Sequence, residues 1–391
     1  MDGIKELLTR GVANIIPNKT TLKDKLQGTK LNVYLGIDAT APRIHLGHAV
    51  VLRKLQQFAQ LGHNVTFLIG DFTALIGDTS DKDSERPILT SEQIEENFQT
   101  YKKQAEKILD FSKVKVRHNS EWLKKLTYEE VIKLTQAFSL NDFISRELIH
   151  KRLDEKKNIG LVEVQYPAMQ GYDSYFLDTD LQIGGTDQTF NMQAGRTLQK
   201  KWRNKESFVL TTEFLMGTDG RKMSKSWGNA IWLDDTPSEM YAKVMRVEDN
   251  LIVDYLTLAT NTPLDEIEEI KKETGKGNPI NIKKKLAKII VTELYNEREA
   301  EEAQDNFESI VQNKEMPEEI IEIEVAKNTL IDDNLLLEIG FAKSKSEAKR
   351  LFEQGGVEID GGRVALKDAV EAVDNMVVKV GKRKFAKLKI S

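Results

Sequence analysis

The chain contains no cysteine and only five histidines among its 391 residues. The absence of cysteine excludes disulfide bonds and thiolate zinc sites, and it is typical of proteins from a reducing compartment. The sequence has no run of about 18 uncharged apolar residues, which a membrane-spanning helix needs. The opening residues, Met-Asp-Gly-Ile-Lys-Glu, also lack the apolar core of a signal peptide. We therefore expect a cytoplasmic protein that does not enter the membrane.

The composition is that of a globular protein with more than one domain. Apolar residues make up 40% of the chain and charged residues 30%. The length is sufficient for two or three domains and a large core. A net charge of -5 argues against a uniformly basic surface that coats nucleic acid, although it leaves room for a local basic patch.

The segment from Val33 to His48 has the pattern of a strand that leads into an anion-binding helix. Residues 31–37 are apolar and favour a strand, which we place first in the chain, and helical apolar spacing begins at Gly47. A helix N-terminus presents unpaired N–H groups to an anion, and His45 and His48 add further donors. A His-x-Gly-His run at a turn is also an ordinary capping cluster, so a second motif is needed to decide its role.

Polar residues follow two other predicted strands. The strand at 65–70 leads to Asp78, and the strand at 181–185 ends in paired glycines with Asp187 just beyond. Ligands of doubly wound sheets bind at the carboxyl ends of strands, and a carboxylate there often binds ribose hydroxyls. A loop carboxylate that caps a helix explains Asp78 equally well. Together the strands predict an α/β fold with a Rossmann-like parallel sheet.

Three polar side chains share one face of a predicted helix. Tyr166, Gln170 and Asp173 are spaced i, i+4 and i+7, so their hydrogen-bonding groups converge. A core-facing position would carry leucine or valine, and the pattern therefore favours a polar pocket over core packing.

Basic residues occupy two loops that could hold phosphates. The run at 221–226 contains Lys222 and Lys225 between glycines, which is typical of a mobile polyphosphate clamp. Lys82 and Arg86 lie in a polar loop that is either a solvated surface or a second clamp.

We predict three domains. A catalytic domain covers 1–236 with a helical insertion at about 120–160, a helical domain covers 237–313, and an acidic linker at 314–328 precedes a small α+β domain at 329–391. The last domain carries basic residues on a predicted helix and in the C-terminal tail, which form either a solvated surface or an RNA-binding face. These candidates are Lys345, Lys349, Arg350, Lys382, Arg383 and Lys384.

The sequence His45-Leu46-Gly47-His48, followed by Lys222-Met223-Ser224-Lys225-Ser226, resembles the paired signature motifs (HIGH and KMSKS) of class I aminoacyl-tRNA synthetases. The residues around Tyr34, Tyr166 and Gly184-Gly185-Thr186-Asp187-Gln188 resemble the tyrosyl branch of that family. Residues 330–391 resemble the S-four RNA-binding module of its bacterial members. Ala39 departs from the family pattern, which usually has proline there, and Thr79-Ser80-Asp81 replaces a usual Pro-Ser-Gly.

The resemblance implies three groups of site residues. The tyrosine-binding group, with Asp173 as an ionised acceptor for the phenol, is Tyr34, Asp78, Tyr166, Gln170, Asp173 and Gln188. The ATP-binding group is Asp38, Gly47, Gly185, Asp187 and Lys225. The catalytic group around the phosphates is Thr40, His45, His48, Lys82, Arg86, Lys222, Lys225 and Ser226.

The same resemblance implies that tyrosine is activated with ATP and then transferred to the 3′ end of tRNA(Tyr). No tightly bound cofactor is implied and no protein metal site, since Mg²⁺ arrives with ATP. The resemblance also implies a homodimer formed through the 120–160 insertion. There the candidate apolar surface is Trp122, Leu134, Phe138 and Phe143, and the alternative is that these residues pack inside the monomer. The alternatives are a tryptophanyl synthetase, a small nucleotidylyltransferase and a catalytically inactive RNA-binding relative.

Overall fold

The computed structural model describes residues 2–78, 90–224, 227–273, 279–309, 321–327, 329–360, 362–364, 366, 370–381 and 384–390. The chain divides into two compact units, Met1–Ala300 and Glu301–Ser391. Within the described ranges, no helix is long and apolar enough to cross a membrane. The boundary that we expect between catalytic and helical domains, near residue 236, falls inside the first unit and stays a prediction.

The described part of the first unit is built around a six-stranded sheet with the order β1-β6-β5-β2-β3-β4. Its strands are β1 (Val12–Ile16), β2 (Asn32–Ile37), β3 (Asn64–Ile69), β4 (Val114–His118), β5 (Leu181–Gly185) and β6 (Phe208–Thr212). Strand β1 pairs with β6 in the antiparallel direction, and the other neighbours are parallel. The predicted α/β class is therefore confirmed, whereas the strand at 31–37 is second in the chain and not first.

Helices pack around this sheet and continue beyond it. Before β5 they are α1 (Asp2–Leu7), α2 (Lys19–Gly28), α3 (Leu46–Gln60), α4 (Ser91–Ala105), α5 (Ser120–Leu123), α6 (Tyr128–Thr135), α7 (Leu140–Ile144), α8 (Glu147–Asp154) and α9 (Leu161–Phe176). After β5 they are α10 (Thr189–Arg203), α11 (Pro237–Val244), α12 (Ile252–Ala259), α13 (Leu264–Glu273), α14 (Pro279–Leu294) and α15 (Glu297–Phe307). Short 3₁₀ turns occur at Thr73–Leu75, Thr186–Gln188 and Asp249–Leu251.

Local sequence explains several helix starts. Thr90 and Gln93 have the spacing of a capping box, which predicts a helix from there to about Phe111. The Thr90 side chain accepts a hydrogen bond from the Gln93 backbone N–H, and the Gln93 side chain accepts one from Thr90, so α4 has the predicted capping box. Thr236 caps α11 in the same way, with Pro237 at the first helical position. Helix α4 ends at Ala105, six residues before the predicted end at Phe111.

Buried cations fix helix α3, whose N-terminus points to the candidate site. Lys54 is buried on α3 and its Nζ donates to the carbonyls of Leu7 and Arg10. The Arg10 guanidinium in turn donates to carbonyls at the C-terminal end of α12, including that of Thr260 at 2.7 Å. These bonds satisfy carbonyl groups that a helix end leaves unpaired, and they tie α1, α3 and α12 together.

The apolar residues that we expected on a dimer surface lie inside the first unit. Trp122, Leu134 and Phe143 are buried, and Phe138 packs against the cluster around Phe143. The prediction of these four side chains as an apolar surface is therefore wrong, because each contributes to a core of the monomer. Among the residues whose burial the structure describes, the large apolar side chains that are exposed in and just after the insertion are different ones: Tyr128, Ile132, Leu140, Leu153, Leu161 and Val162.

The second unit contains a five-stranded sheet with the order β10-β9-β12-β13-β7 and, beside it, the pair β11-β8, counted over the residues described there. Its elements are β7 (Ile321–Val325), β8 (Leu330–Ile331), α16 (Asp333–Glu338), α17 (Lys345–Glu353), β9 (Val357–Ile359), β10 (Gly362–Arg363), β11 (Val370–Glu371), β12 (Val377–Val380) and β13 (Lys384–Ile390). Strand β7 pairs in parallel with β13. The segment predicted as a linker, 314–328, thus contributes a strand to this unit.

Candidate active site

A cavity of about 550 Å³ lies where the carboxyl ends of β2, β3 and β5 meet helix α9. Strands β2 and β5 are neighbours in the sheet. Strands β3 and β4, which follow β2 in the chain, extend the sheet on one side, and β6, which follows β5, extends it on the other. Open α/β sheets bind ligands at such a switch point. Fourteen predicted site residues line the cavity: Tyr34, Asp38, Thr40, His45, Gly47, His48, Asp78, Tyr166, Gln170, Asp173, Gly185, Asp187, Gln188 and Lys222.

The two histidines at the start of α3 form a stacked pair. Their ring centroids are 3.8 Å apart, and the His45 backbone N–H donates to His48 Nδ1 at 3.3 Å. Burial, with smaller effects of the His48 and Lys222 charges, lowers the pKa of His45 to about 2. Burial and the Lys222 charge lower the pKa of His48 to about 4. Both imidazoles are therefore neutral at pH 7 and can each donate one hydrogen bond without adding charge. Among the residues that the structure describes, none forms a hydrogen bond with the buried Nδ1 of His45.

Asp38 is the centre of a hydrogen-bond network at the end of β2. It accepts from Thr73 Oγ1 at 2.8 Å and from the Tyr166 hydroxyl at 2.8 Å. A Cβ on Gly70 would lie 2.1 Å from Asp38 Oδ1, so only glycine fits there. The network fixes Tyr166 against the strand end and links α9 to β2 and β3.

Asp173 is buried in the cavity wall and held by two donors. Trp122 Nε1 donates to it at 2.7 Å and Asn119 Nδ2 at 3.1 Å. Burial raises the pKa of Asp173 to about 8, helped by the charges of Asp38 and Asp71 and opposed by these two hydrogen bonds. In the site without ligand this carboxyl is therefore mostly neutral at pH 7, which differs from the ionised acceptor that we expected.

Tyr34 faces the same part of the cavity but is oriented by another residue. Its hydroxyl donates to Gln182 Oε1 on β5 at 3.1 Å, and the Gln182 amide donates to the Met192 carbonyl. The Tyr34 hydroxyl donates its hydrogen bond to Gln182 in this arrangement, and its oxygen lone pairs can still accept from a ligand.

Asp78 lies at the edge of the cavity in a cluster of amides. Its Oδ2 accepts from Gln188 Nε2 at 2.8 Å and from Asn191 Nδ2 at 3.1 Å, and Asn191 also donates to Gln188 Oε1. The cluster joins Asp78 and Gln188, two residues of the predicted tyrosine-binding group, into one unit.

The glycine-flanked loop reaches the cavity through Lys222, Met223 and Ser224. The Lys222 ammonium lies 5.8 Å from the centroid of the Phe214 ring, which also lines the cavity. Four predicted residues of the phosphate group lie outside the described residues: Lys82, Arg86, Lys225 and Ser226. Thr79, Ser80 and Asp81 also lie outside them.

Sequence reasoning missed four residues that orient the pocket: Thr73, Asn119, Trp122 and Gln182. Asn119 directly follows β4, so the rule that ligand groups follow parallel strands could have found it. Trp122 is expected on a dimer surface only because the family resemblance implies one in the 120–160 insertion, and no pattern in the sequence connects it to Asp173.

In the second unit, the predicted RNA-binding residues on α17 and at the start of β13 are exposed: Lys345, Lys349, Arg350 and Lys384. The Lys384 ammonium donates to the Phe341 carbonyl at 2.6 Å and lies over the Phe341 ring. Lys382 and Arg383 lie outside the described part of this unit.

Comparison with known proteins gives matches along nearly the whole chain. The model of class I tRNA synthetases (W and Y) matches residues 26–312, and the S4 domain model matches residues 333–376. The chain is 43% identical over 387 residues to the tyrosine–tRNA ligase of Thermotoga maritima, covering 98% of this chain and 96% of that protein. It is 45% identical over 401 residues to the tyrosine–tRNA ligase of Carboxydothermus hydrogenoformans, with coverages of 98% and 97%.

Among solved structures, the tyrosyl-tRNA synthetase of Archaeoglobus fulgidus complexed with L-tyrosine has a similar fold. The TM-score is 0.62 at 24% identity, and the match covers 78% of this chain and 98% of that one.

Proposed function

The chain belongs to the class I tRNA synthetases of the tryptophan and tyrosine group, and from its full-length relatives we infer that it is a tyrosine–tRNA ligase. The observation that carries this inference is the identity of 43 to 45% to tyrosine–tRNA ligases over 98% of the chain. The enzyme activates tyrosine with ATP to form tyrosyl-adenylate and pyrophosphate, and it then transfers the tyrosyl group to tRNA(Tyr).

We propose that Tyr34 and Asp173 bind the phenol hydroxyl of tyrosine. The single phenol proton can be donated to Asp173, which keeps lone pairs beyond those used by Trp122 and Asn119. The Tyr34 hydroxyl can rotate away from Gln182 and donate its own proton to the phenol oxygen. The carboxylate form of Asp173 makes the stronger hydrogen bond to a phenol. Tyrosine binding should therefore favour loss of the Asp173 proton.

The ammonium and carboxylate ends of the substrate would be bound at the other side of the pocket. Asp78, Tyr166 and Gln170 are our candidates for the ammonium group and Gln188 for the carboxylate. The existing bond between Gln188 and Asp78 supports this arrangement, because it holds the two candidates next to each other before substrate arrives.

In the first step the tyrosine carboxylate attacks the α-phosphorus of ATP in line and pyrophosphate leaves. Little proton transfer is needed, so catalysis depends on positioning and on stabilising phosphate charge. We propose that Asp187, Gly185 and Asp38 hold the nucleoside. Neutral His45 and His48 would donate hydrogen bonds to the phosphates together with Thr40, and Lys222 would supply positive charge. Gly47 leaves room for ATP at the start of α3.

Lys82, Arg86, Lys225 and Ser226 complete the proposed phosphate group on the basis of their sequence motifs. Mg²⁺ would enter bound to ATP, with no dedicated set of protein ligands.

We further propose that the S4 domain binds tRNA through its exposed basic residues, that the protein is cytoplasmic and that it is a homodimer. The exposed Leu161, of which 74% is accessible, and its neighbour Val162 replace the buried residues as our candidates for the dimer surface.

Aminoacylation of a tRNA(Tyr) transcript with labelled tyrosine tests the function. We expect acid-precipitable label that depends on ATP and on that tRNA. A protein that charges the transcript with tryptophan, or charges nothing, would overturn the proposal.

A further inference from the structure

Asn229 lies behind the loop that carries Lys222 and has contacts on three sides. Its side chain is buried, with only 2% of the residue exposed. Its Oδ1 accepts from the Ser224 backbone N–H at 2.8 Å, and its Nδ2 donates to Asp219 Oδ1 at 2.8 Å and to the Lys222 carbonyl at 3.2 Å. A single short amide thus joins two positions of the loop to the turn that precedes it.

The turn itself is closed by further bonds around the same residue. The Gly217 N–H donates to the Arg221 carbonyl at 2.7 Å, and the Thr218 N–H donates to the Asn229 carbonyl at 3.1 Å. Asp219 Oδ1 also accepts from the Arg221 backbone N–H. The segment from Met216 to Lys222 is therefore a closed hairpin, and Asn229 is the side chain that fills its inner side.

Gly217 leaves the room that Asn229 occupies. A Cβ on Gly217 would lie 2.3 Å from Asn229 Nδ2 and 2.5 Å from its Cγ, far closer than atoms can approach. The φ angle of Gly217 lies outside the left-handed region, so its backbone does not itself require glycine. The need for glycine at this position comes from Asn229.

We propose that Asn229 is a positioning residue that holds Lys222, Met223 and Ser224 against the cavity where the ATP phosphates bind. The proposal rests on the proposed function in that it assigns ATP to this cavity. The side chain must offer one acceptor and two donors from a buried site, which among short side chains only an amide provides. A shift of about 1 Å in a positioned group can lower a rate about 100-fold.

The experiment compares Asn229→Ala, Gly217→Ala and the double variant in the full-length protein. Both single variants should raise KM for ATP or lower kcat in tyrosine-dependent pyrophosphate exchange by about 10- to 100-fold, with KM for tyrosine unchanged. The double variant should be no worse than Asn229→Ala, because removing the amide also removes the clash with the new methyl group. Gly28→Ala is the matched control, since its Cβ would meet no atom within 4 Å.

Limited trypsin digestion without ATP is a second measurement that does not depend on activity. Cleavage after Arg221 and Lys222 should be faster in both single variants than in wild type and Gly28→Ala, with thermal unfolding confirming that each variant is folded. If wild type lacked tyrosine-dependent exchange while the trypsin pattern held, the proposed function would fail and the positioning of the loop would stand.

Three outcomes would overturn the positioning role. They are additive losses in the double variant, equal rises in KM for ATP and tyrosine, and cleavage rates that match wild type.

Discussion

Replacing Asp173 by alanine should reduce the preference for tyrosine over phenylalanine in two ways, because it lowers kcat/KM for tyrosine and raises kcat/KM for phenylalanine. A hydrogen bond to a charged group contributes about 1.5 to 3 kcal/mol, so kcat/KM for tyrosine should fall about 10- to 150-fold. Phenylalanine offers no donor to the Asp173 lone pairs beyond those used by Trp122 and Asn119, at a cost of about 1 to 3 kcal/mol that the variant no longer has. The midpoints of these two ranges add up to about 4 kcal/mol. At about 1.4 kcal/mol per factor of ten, the ratio of kcat/KM for tyrosine to kcat/KM for phenylalanine should therefore fall about 1,000-fold.

Tyr34→Phe should have a smaller effect. It removes a neutral hydrogen-bonding group, worth about 0.5 to 1.5 kcal/mol, and leaves Gln182 Oε1 without the Tyr34 donor. We therefore expect a loss for tyrosine of about threefold to tenfold. The assay for all three proteins is pyrophosphate exchange with each amino acid at saturating ATP.

Because the pKa of Asp173 is raised, kcat/KM for tyrosine should also be measured as a function of pH. A shift of the pKa from 3.8 to about 8 means that ionising this buried carboxyl costs about 6 kcal/mol more than in water. If tyrosine binds the carboxylate form, kcat/KM for tyrosine rises between pH 6.5 and 8.5 in wild type. Asp173→Asn should remove that rise. Discrimination or a pH profile that stays at wild-type values in the Asp173 variants would refute the assignment of Asp173 to the phenol.

The remaining predictions concern the phosphates, the second unit, assembly and acid stability. Lys222→Ala and Lys225→Ala should each slow adenylate formation in single turnovers while tyrosine affinity stays near wild type, because the lysines meet charge that grows in the transition state; an equal loss of tyrosine affinity would contradict this. Removing residues 310–391 should preserve pyrophosphate exchange but depress aminoacylation and weaken its salt dependence, and normal charging would assign the unit another role. Light scattering at micromolar concentration should give a dimer mass, and Leu161→Glu should give a monomer; a monomeric wild type would exclude the dimer. Burial depresses the folded-state pKa of His48 from 6.5 to about 4, so the unfolded state binds the proton first and the free energy of unfolding should fall by about 3 kcal/mol as the pH drops from 6.5 to 4. His48→Asn should flatten this part of the unfolding profile, and an unchanged slope would contradict the neutral buried histidine.

Strand and helix patterns in the sequence predict the part of the fold that holds the site. Residues 31–37 and 181–185 are apolar runs that end in glycine or a polar turn, and such runs form buried parallel strands. Strand β1 escapes the sequence analysis because Val12–Ile16 is short and is exposed at two positions. The capping box predicts the start of α4 more accurately than the apolar spacing predicts its end.

The cavity residues could be predicted where a motif or a helical face groups them. Tyr166, Gln170 and Asp173 recur at helical spacing, and the structure places all three at one cavity. Asn119 and Trp122 could not be connected with Asp173 from sequence, since their contact depends on where α5 packs against α9. The charge state of Asp173 was also beyond sequence reasoning, because it depends on burial and on two distant carboxylates. Sequence alone also cannot tell whether an apolar residue on a helix faces a partner subunit or the core of its own chain. This applies to Trp122, Leu134, Phe138 and Phe143.

The exchange of labelled pyrophosphate into ATP, with each of tyrosine, tryptophan and phenylalanine, tests the central claim most directly. The reaction needs only the first unit's proposed site and Mg²⁺-ATP, so it separates amino-acid activation from tRNA binding. We predict exchange that requires tyrosine, with tryptophan and phenylalanine slower by orders of magnitude. Exchange supported by tryptophan, or no exchange with any of the three, would contradict the assignment of this cavity to tyrosine activation.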